Sequence, residues 1–251
     1  MTSRAPRDSD AVPNFVTSRL LDRHGLPHLF TTRHFPGIAR PTESRPPLGP
    51  ESRALLATRG LVGEPVFARQ VHGADVIRVE RGGFAGHGDA LATSRAGLPL
   101  CISTADCLPI VLYDPRAGRL AAVHAGWRGT VQSIGRAAVS ALVEAGSAPR
   151  DLVVAIGPSI GPCCYEVDAP VLERLETAFP GAWEPWAMPK GPGKWMLDLW
   201  RANVDQLTAA GVPPEGIDLL GLCTGCRPDL LFSYRRERGA GRLVTVAALP
   251  G

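Results

Sequence analysis

From Val66 onward, short apolar runs follow one another with fewer stretches of helical period between them. Val66–Gln70 and Val76–Val79 are predicted as strands around a turn at His72-Gly73. Leu98–Ser103 and Leu108–Tyr113 are two further strands, interrupted by Thr104-Ala-Asp-Cys107, and Leu120–His124 follows the turn residues Asp114-Pro-Arg-Ala-Gly118. The period then changes: Val131, Ile134, Ala138, Leu142 and Ala145 fall on one helical face, with Gly146 placed to cap its end. Leu152–Ile156 reads again as a strand. Asp168 stands at an N-cap position, with Pro170 early in a helix to about Phe179; Asp198 starts another that reaches Ala210 and ends at Gly211 and Pro213. Ile217–Leu222 and Arg242–Ala247 close the chain as strands. Strands that so often succeed each other without a helix predict an α+β fold, one domain of mixed β-sheets flanked by helices.

The loosest stretch, Pro36–Pro50, is dense in Pro and Gly, and predicts a partly irregular N-terminal arm (1–50) ahead of the main body (51–251). A chain of 251 residues with 45% hydrophobic and 20% charged positions can bury a core without disulfide staples. Its formal net charge of +3 argues against a nucleic-acid partner. All basic residues except Lys190 and Lys194 are arginines, which reads first as compositional habit and second as phosphate recognition. No run approaches the roughly 20 apolar residues of a membrane span. Charges in Met1–Asp10, where an export signal needs an apolar core, predict cytoplasmic residence with reduced thiols.

Three residues end or interrupt apolar runs: His72, Cys107 and His124. Two imidazoles and a thiolate make a tetrahedral zinc set with one open position, the catalytic pattern. Their spacing matches no short zinc motif, and from the residues alone a buried thiol beside two hydrogen-bonded histidines is the favoured reading. Asp106 and Asp89 could orient a ligand imidazole or act as acid or base; both also suit turns. Arg128 and Gly129 stand before a helix expected to start near Thr130, where free N–H groups and a guanidinium suit an anion. Cys223-Thr-Gly-Cys226 is a lone C-x-x-C, and structural zinc would want a second pair, so a thiol-lined pocket wall or plain packing is expected. Cys163 and Cys164 read as packing residues beside Gly157–Pro162, and Arg235, Arg236 and Arg238 as a solvated face.

Taken in order, Arg69-Gln-Val-His-Gly-Ala-Asp75, Gly88-Asp-Ala90, Thr104-Ala-Asp-Cys-Leu-Pro109 and Val123-His-Ala-Gly-Trp-Arg-Gly129 resemble the laccase-domain family. That family was once described as multicopper polyphenol oxidases and is now associated with purine nucleoside phosphorylase activity. Ile156–Val167, Asp198-Leu199, Cys223–Cys226 and Phe232-Ser-Tyr-Arg-Arg236 extend the resemblance to the chain's end. It implies an α+β fold, zinc on His72, Cys107 and His124, and Asp106 among the catalytic residues. Arg33, Arg128, Asp89 and Cys223 are expected along purine nucleoside and phosphate. The implied reactions are phosphorolysis of adenosine, inosine, guanosine and methylthioadenosine, and deamination of adenosine. The N-terminal segment departs from the family pattern, with Thr31-Thr-Arg-His-Phe-Pro-Gly37 and Pro47-Leu-Gly49 where a Ser-x-Arg-x-Gly-Gly-type segment and a Leu-Asn-Leu-Gly-like stretch are usual. Copper could occupy the same ligands, since it outranks zinc in affinity. An oxidase needs many histidines, however, and this chain has six, with no His-x-His pair. The same residues would also suit a metal-free hydrolase with Cys107 activated by His124, or a non-enzymatic, zinc-stabilised binding module.

Overall fold

The strand Leu108–Asp114 is buried at every position. Both its faces are covered, which is why it reads as an unbroken apolar run and not as an alternation. It is one of fifteen strands in the computed structural model, which describes residues 12–239 and 241–251; the charged Met1–Asp10 segment lies outside the described residues.

In chain order the first strands are β1 (Phe15–Val16), β2 (His28–Thr31), β3 (Val66–Arg69), β4 (Val76–Arg78), β5 (Gly83–His87), β6 (Ala90–Thr93) and β7 (Leu100–Thr104). Then come β8 (Leu108–Asp114), β9 (Arg119–Ala125), β10 (Val153–Ile156), β11 (Glu166–Asp168), β12 (Ala187–Gly191), β13 (Lys194–Leu197), β14 (Ile217–Leu219) and β15 (Leu243–Ala247). The helices are α1 (Arg19–Arg23), α2 (Arg53–Ala57), α3 (Trp127–Val131), α4 (Ile134–Glu144), α5 (Ala169–Ala178), α6 (Leu199–Ala209) and α7 (Tyr234–Glu237). One six-stranded sheet has the order β1-β2-β15-β7-β3-β5, a second β14-β10-β8-β9-β6-β4, and a small third β11-β13-β12. The first two mix parallel and antiparallel pairs, as the α+β reading expects.

The two large sheets pack face to face. Phe30, Leu100 and Ile102 of the first meet Leu91, Val111, Leu120 and Ala155 of the second. On the far face of the second sheet Ile110, Leu112, Val123 and Ile156 pack under Ile134, Ala138 and Leu142 of α4 and Ala202 and Leu207 of α6. Each fully buried Leu, Ile, Val or Phe among them contributes about 1.5–3 kcal/mol of transfer free energy. Beyond the first sheet, Leu29, Phe67 and Val246 are covered by Phe35, Leu48 and Leu56.

The stretch expected as an N-terminal arm is built into this frame. β2 pairs with β15 in the first sheet, and all four of its residues are buried. The single helix expected over Val131–Ala145 is two, because Ser133 takes a left-handed conformation (φ 58°) between α3 and α4. Asp198 caps α6 through Arg201 N (2.9 Å), whereas Asp168 precedes α5 without a side-chain cap. The strand expected over Ile217–Leu222 stops at Leu219, since Gly221 turns the chain at φ 65°. Among the described residues no helix is long and apolar enough to cross a membrane.

Candidate metal centre and active site

Register in the second sheet assembles the site. β8 and β9 run antiparallel with Leu108 opposite Ala125, so the next step of the ladder sets Cys107 beside Gly126. β6 and β9 pair Ala90 with Val123, so Asp89 falls beside His124. His72 arrives from the β3–β4 loop, which β4 ties to β6. The result is a cluster in which one ligand atom each of His72, Cys107 and His124 lies within 4.8 Å of the others. The imidazole rings of His72 and His124 meet edge to face at 4.8 Å. His124 is buried, Cys107 is intermediate and His72 is exposed, so the cluster opens on its His72 side.

Asp89 organises the two histidines at once. Its carboxylate, wholly buried, accepts the N–H groups of Val71 (3.1 Å), His72 (2.9 Å) and Gly73 (2.7 Å), and bonds His124 Nδ1 at 2.8 Å. Three amides on one carboxylate hold His72 in its left-handed conformation, φ 63°. With Nδ1 turned to Asp89, Nε2 is the nitrogen of His124 that faces Cys107. Burial pushes Asp89 up, but His124 and the amides of Gly73 and His72 outweigh it and hold the group below its ordinary value.

Burial also opposes charge on Cys107 and His124, and here too the partners prevail. Hydrogen bonds and charges from His124 and His72 bring the Cys107 thiol down to about 6. Asp89 and Cys107 raise His124 to about 9. A thiolate at neutral pH is the form a metal ligand requires. The cluster fits a tetrahedral cation in donor type and in space: a Cβ on Gly126 would stand 2.8 Å from Cys107 Sγ and 3.2 Å from His72 Cδ2. Zinc and copper both take this thiolate and imidazole set.

Asp106, the neighbour of Cys107, also has a left-handed backbone (φ 88°). Its oxygens accept Thr224 Oγ1 (2.6 Å) and Arg235 N (2.7 Å), and its carbonyl accepts Ile160 N (2.8 Å). It therefore fastens three segments behind the thiolate. Arg128 and Gly129, expected just before a helix, lie inside the first turn of α3, and the exposed Arg128 guanidinium stacks on Trp127 at 4.4 Å. Arg33 is engaged elsewhere: it pairs with Glu237 at 2.9 Å, donates to Pro228 O and lies over Phe232. Cys223 joins Cys163, Cys164 and Cys226 in a separate thiol group.

Several neighbours were not singled out from sequence. Arg235, read as part of a solvated face, lies over Tyr165 (5.2 Å) and donates to Glu166 O. Tyr165 is pushed up by burial and by Cys107, while Arg235 and Arg128 pull the other way. Arg242 is lowered by burial and by Arg40, and the charges of Tyr234, Cys107 and Asp106 oppose that shift. Nothing in Tyr165 or Arg242 as isolated letters marks them; the Phe232–Arg236 run was the available signal for Arg235.

The chain belongs to the family described as multi-copper polyphenol oxidoreductase laccase, whose model matches residues 50–250. A purine nucleoside phosphorylase of Deinococcus radiodurans is 38% identical over 238 residues, 90% of each chain. The purine nucleoside phosphorylase YlmD of Geobacillus stearothermophilus is 42% identical over 193 residues, covering 71% of this chain and 70% of that one. Its crystal structure superimposes with a TM-score of 0.81 at 34% identity, over 90% of this chain and 93% of that chain. An adenosine deaminase, RL5, from an unknown prokaryotic organism is 40% identical over 148 residues, 59% of this chain and 56% of that protein.

Proposed function

We propose that this protein is a zinc-dependent purine nucleoside phosphorylase that also deaminates adenosine. Adenosine, inosine, guanosine and methylthioadenosine are its substrates, each cleaved by inorganic phosphate to the base and a ribose 1-phosphate. The observation that carries this reading is the open cluster of His72, Cys107 and His124, whose neighbour Tyr165 feels the charges of Cys107, Arg235 and Arg128 together. The names of the relatives support the same chemistry. Zinc bound there would supply Lewis acidity at its open position, polarising a substrate oxygen or lowering the pKa of water.

The chain's own groups do the rest. Asp89 keeps the proton of His124 on Nδ1 and so presents Nε2 inward. Arg128, exposed and braced on Trp127, offers a planar fork to phosphate, whose charge must be held beside the anomeric carbon. Arg235, set by Asp106, adds a second positive charge. Asp106 is a positioning residue, with both oxygens occupied. Arg33 acts through the 228–237 loop it anchors. The free cysteines suit the reducing cytoplasm, where we place the enzyme.

Copper oxidase chemistry is the second reading, favoured by the family's description. A multicopper centre draws on many histidines, and the candidate cluster has two. Product analysis separates the readings. Adenosine incubated with zinc-loaded protein is expected to give adenine and ribose 1-phosphate only with phosphate present, and inosine in both conditions. Oxidation of a phenol with uptake of oxygen, and no nucleoside product, would overturn the proposal.

A further inference from the structure

Four of the six cysteines gather at one place away from His72, Cys107 and His124. Cys163 and Cys164 follow the Gly157–Pro162 loop, and Cys223 and Cys226 stand at the ends of the C-x-x-C. A parallel bridge between Ser159 and Cys223 aligns the two loops, with Ser159 N on Leu222 O (3.1 Å) and Thr224 N on Ser159 O (3.0 Å). All four Sγ atoms then fall within 4.8 Å of one another. Cys226 Sγ is 3.3 Å from Cys163 Sγ and 3.5 Å from Cys164 Sγ.

We infer that Cys163, Cys164, Cys223 and Cys226 form a second metal site, a closed tetrathiolate that holds a structural zinc ion. Four thiolates at about 2.3 Å from zinc stand about 3.8 Å apart along each tetrahedral edge, inside the range these sulfurs already span. The surroundings suit a thiolate at Cys223. Gly161 N donates to Cys223 Sγ at 3.3 Å, placing a backbone N–H dipole on a buried sulfur. The C-x-x-C closes on itself through Cys226 N to Cys223 O (3.2 Å). Gly225 leaves no room for a side chain, since a Cβ there would lie 2.7 Å from Cys164 Cβ and 2.8 Å from its Sγ. Packing alone does not explain the group, because Cys163 and Cys226 are exposed and bury little apolar surface. All four ligands are protein atoms, so the site is closed and non-catalytic.

Its consequence reaches the active site through one residue. Thr224 sits between the two ligands of the C-x-x-C and donates to Asp106, beside Cys107. The zinc would clamp loop 157–164 to loop 222–227 and so fix the wall behind the catalytic thiolate.

Zinc per chain, measured by elemental analysis after loading and gel filtration, tests this without any assay of nucleosides. Two equivalents are expected in wild type, one in Cys107→Ala and one in Cys163→Ser/Cys226→Ser. Cobalt(II) gives a readout that needs no damaged tetrathiolate. Cys107→Ala should keep about four fifths of the thiolate-to-cobalt charge-transfer absorption, since four of the five thiolates remain. One zinc in wild type with no loss in Cys163→Ser/Cys226→Ser would overturn the inference. A Cys163–Cys226 disulfide in protein freshly isolated with zinc would overturn it equally.

Discussion

His124 Nδ1 on β9 and Oδ1 of Asp89, the residue just before β6, stand 2.8 Å apart, both buried, placed side by side by the register of the two strands. The same carboxylate takes three amides of the His72 loop. One side chain thus sets the ring of His124 and the backbone of His72.

Asp89→Asn tests that role. The amide retains one acceptor oxygen but turns an NH2 toward groups that themselves donate, leaving at least one N–H unpaired at a cost of about 1–3 kcal/mol. Zinc affinity at the three-ligand cluster is expected to fall about 10–100-fold. Competition with a chelator, run in the Cys163→Ser/Cys226→Ser background to isolate this cluster, measures it. Unchanged affinity would remove Asp89 from the account.

Gly126→Ala tests the space around the ligands. The backbone at this position (φ −79°, ψ 176°) accepts alanine, so any effect arises from the added methyl, which would stand 2.8 Å from Cys107 Sγ. Overpacking of this kind costs about 1–3 kcal/mol, or about 2–12 °C of Tm in a chain of this size. The variant is expected to fold, by circular dichroism, and to lose turnover together with the metal of the His72–Cys107–His124 cluster, leaving one zinc per chain by elemental analysis.

His28 predicts a pH dependence of stability independent of the active site. Ser18 N donates to its Nε2 (2.8 Å), and its Nδ1–H donates to Leu26 O (2.8 Å), an arrangement available only to the neutral ring. Burial lowers its pKa from 6.5, against the opposing pull of Leu26 O and Asp22. A depressed folded value means the unfolded chain binds more protons in between. The contribution is therefore complete above about 6.5 and is lost as pH falls through the folded value. Thermal melts at pH 7.5 and 5 should show a smaller difference for His28→Gln than for wild type.

The strands that form the centre of the second sheet were legible because β8 and β9 are apolar along nearly their whole length. β5 and β6 went unread: Gly83–His87 has two glycines and no apolar period, and Ala90–Thr93 is a small-residue segment buried by its neighbours. Helix period continues across Ser133, so the pattern predicts one helix where a left-handed residue makes two. In the site, His72, Cys107 and His124 stand out as interruptions of apolar runs. The pairing of Asp89 with His124 depends on strand register, which only the assembled sheet supplies. Likewise the C-x-x-C is visible without its partners, because Cys163 and Cys164 reach it through a bridge between distant segments.

Formation of ribose 1-phosphate from inosine and inorganic phosphate, followed side by side for zinc-loaded wild type and Cys107→Ala, bears most directly on the central claim. Wild type should form it in step with hypoxanthine. Cys107→Ala should retain its fold and its tetrathiolate zinc and lose the reaction by more than about 100-fold, beyond what loss of an orienting carboxylate costs. Equal rates in the two proteins, or hypoxanthine released at the same rate without phosphate, would contradict phosphorolysis at the His72–Cys107–His124 centre.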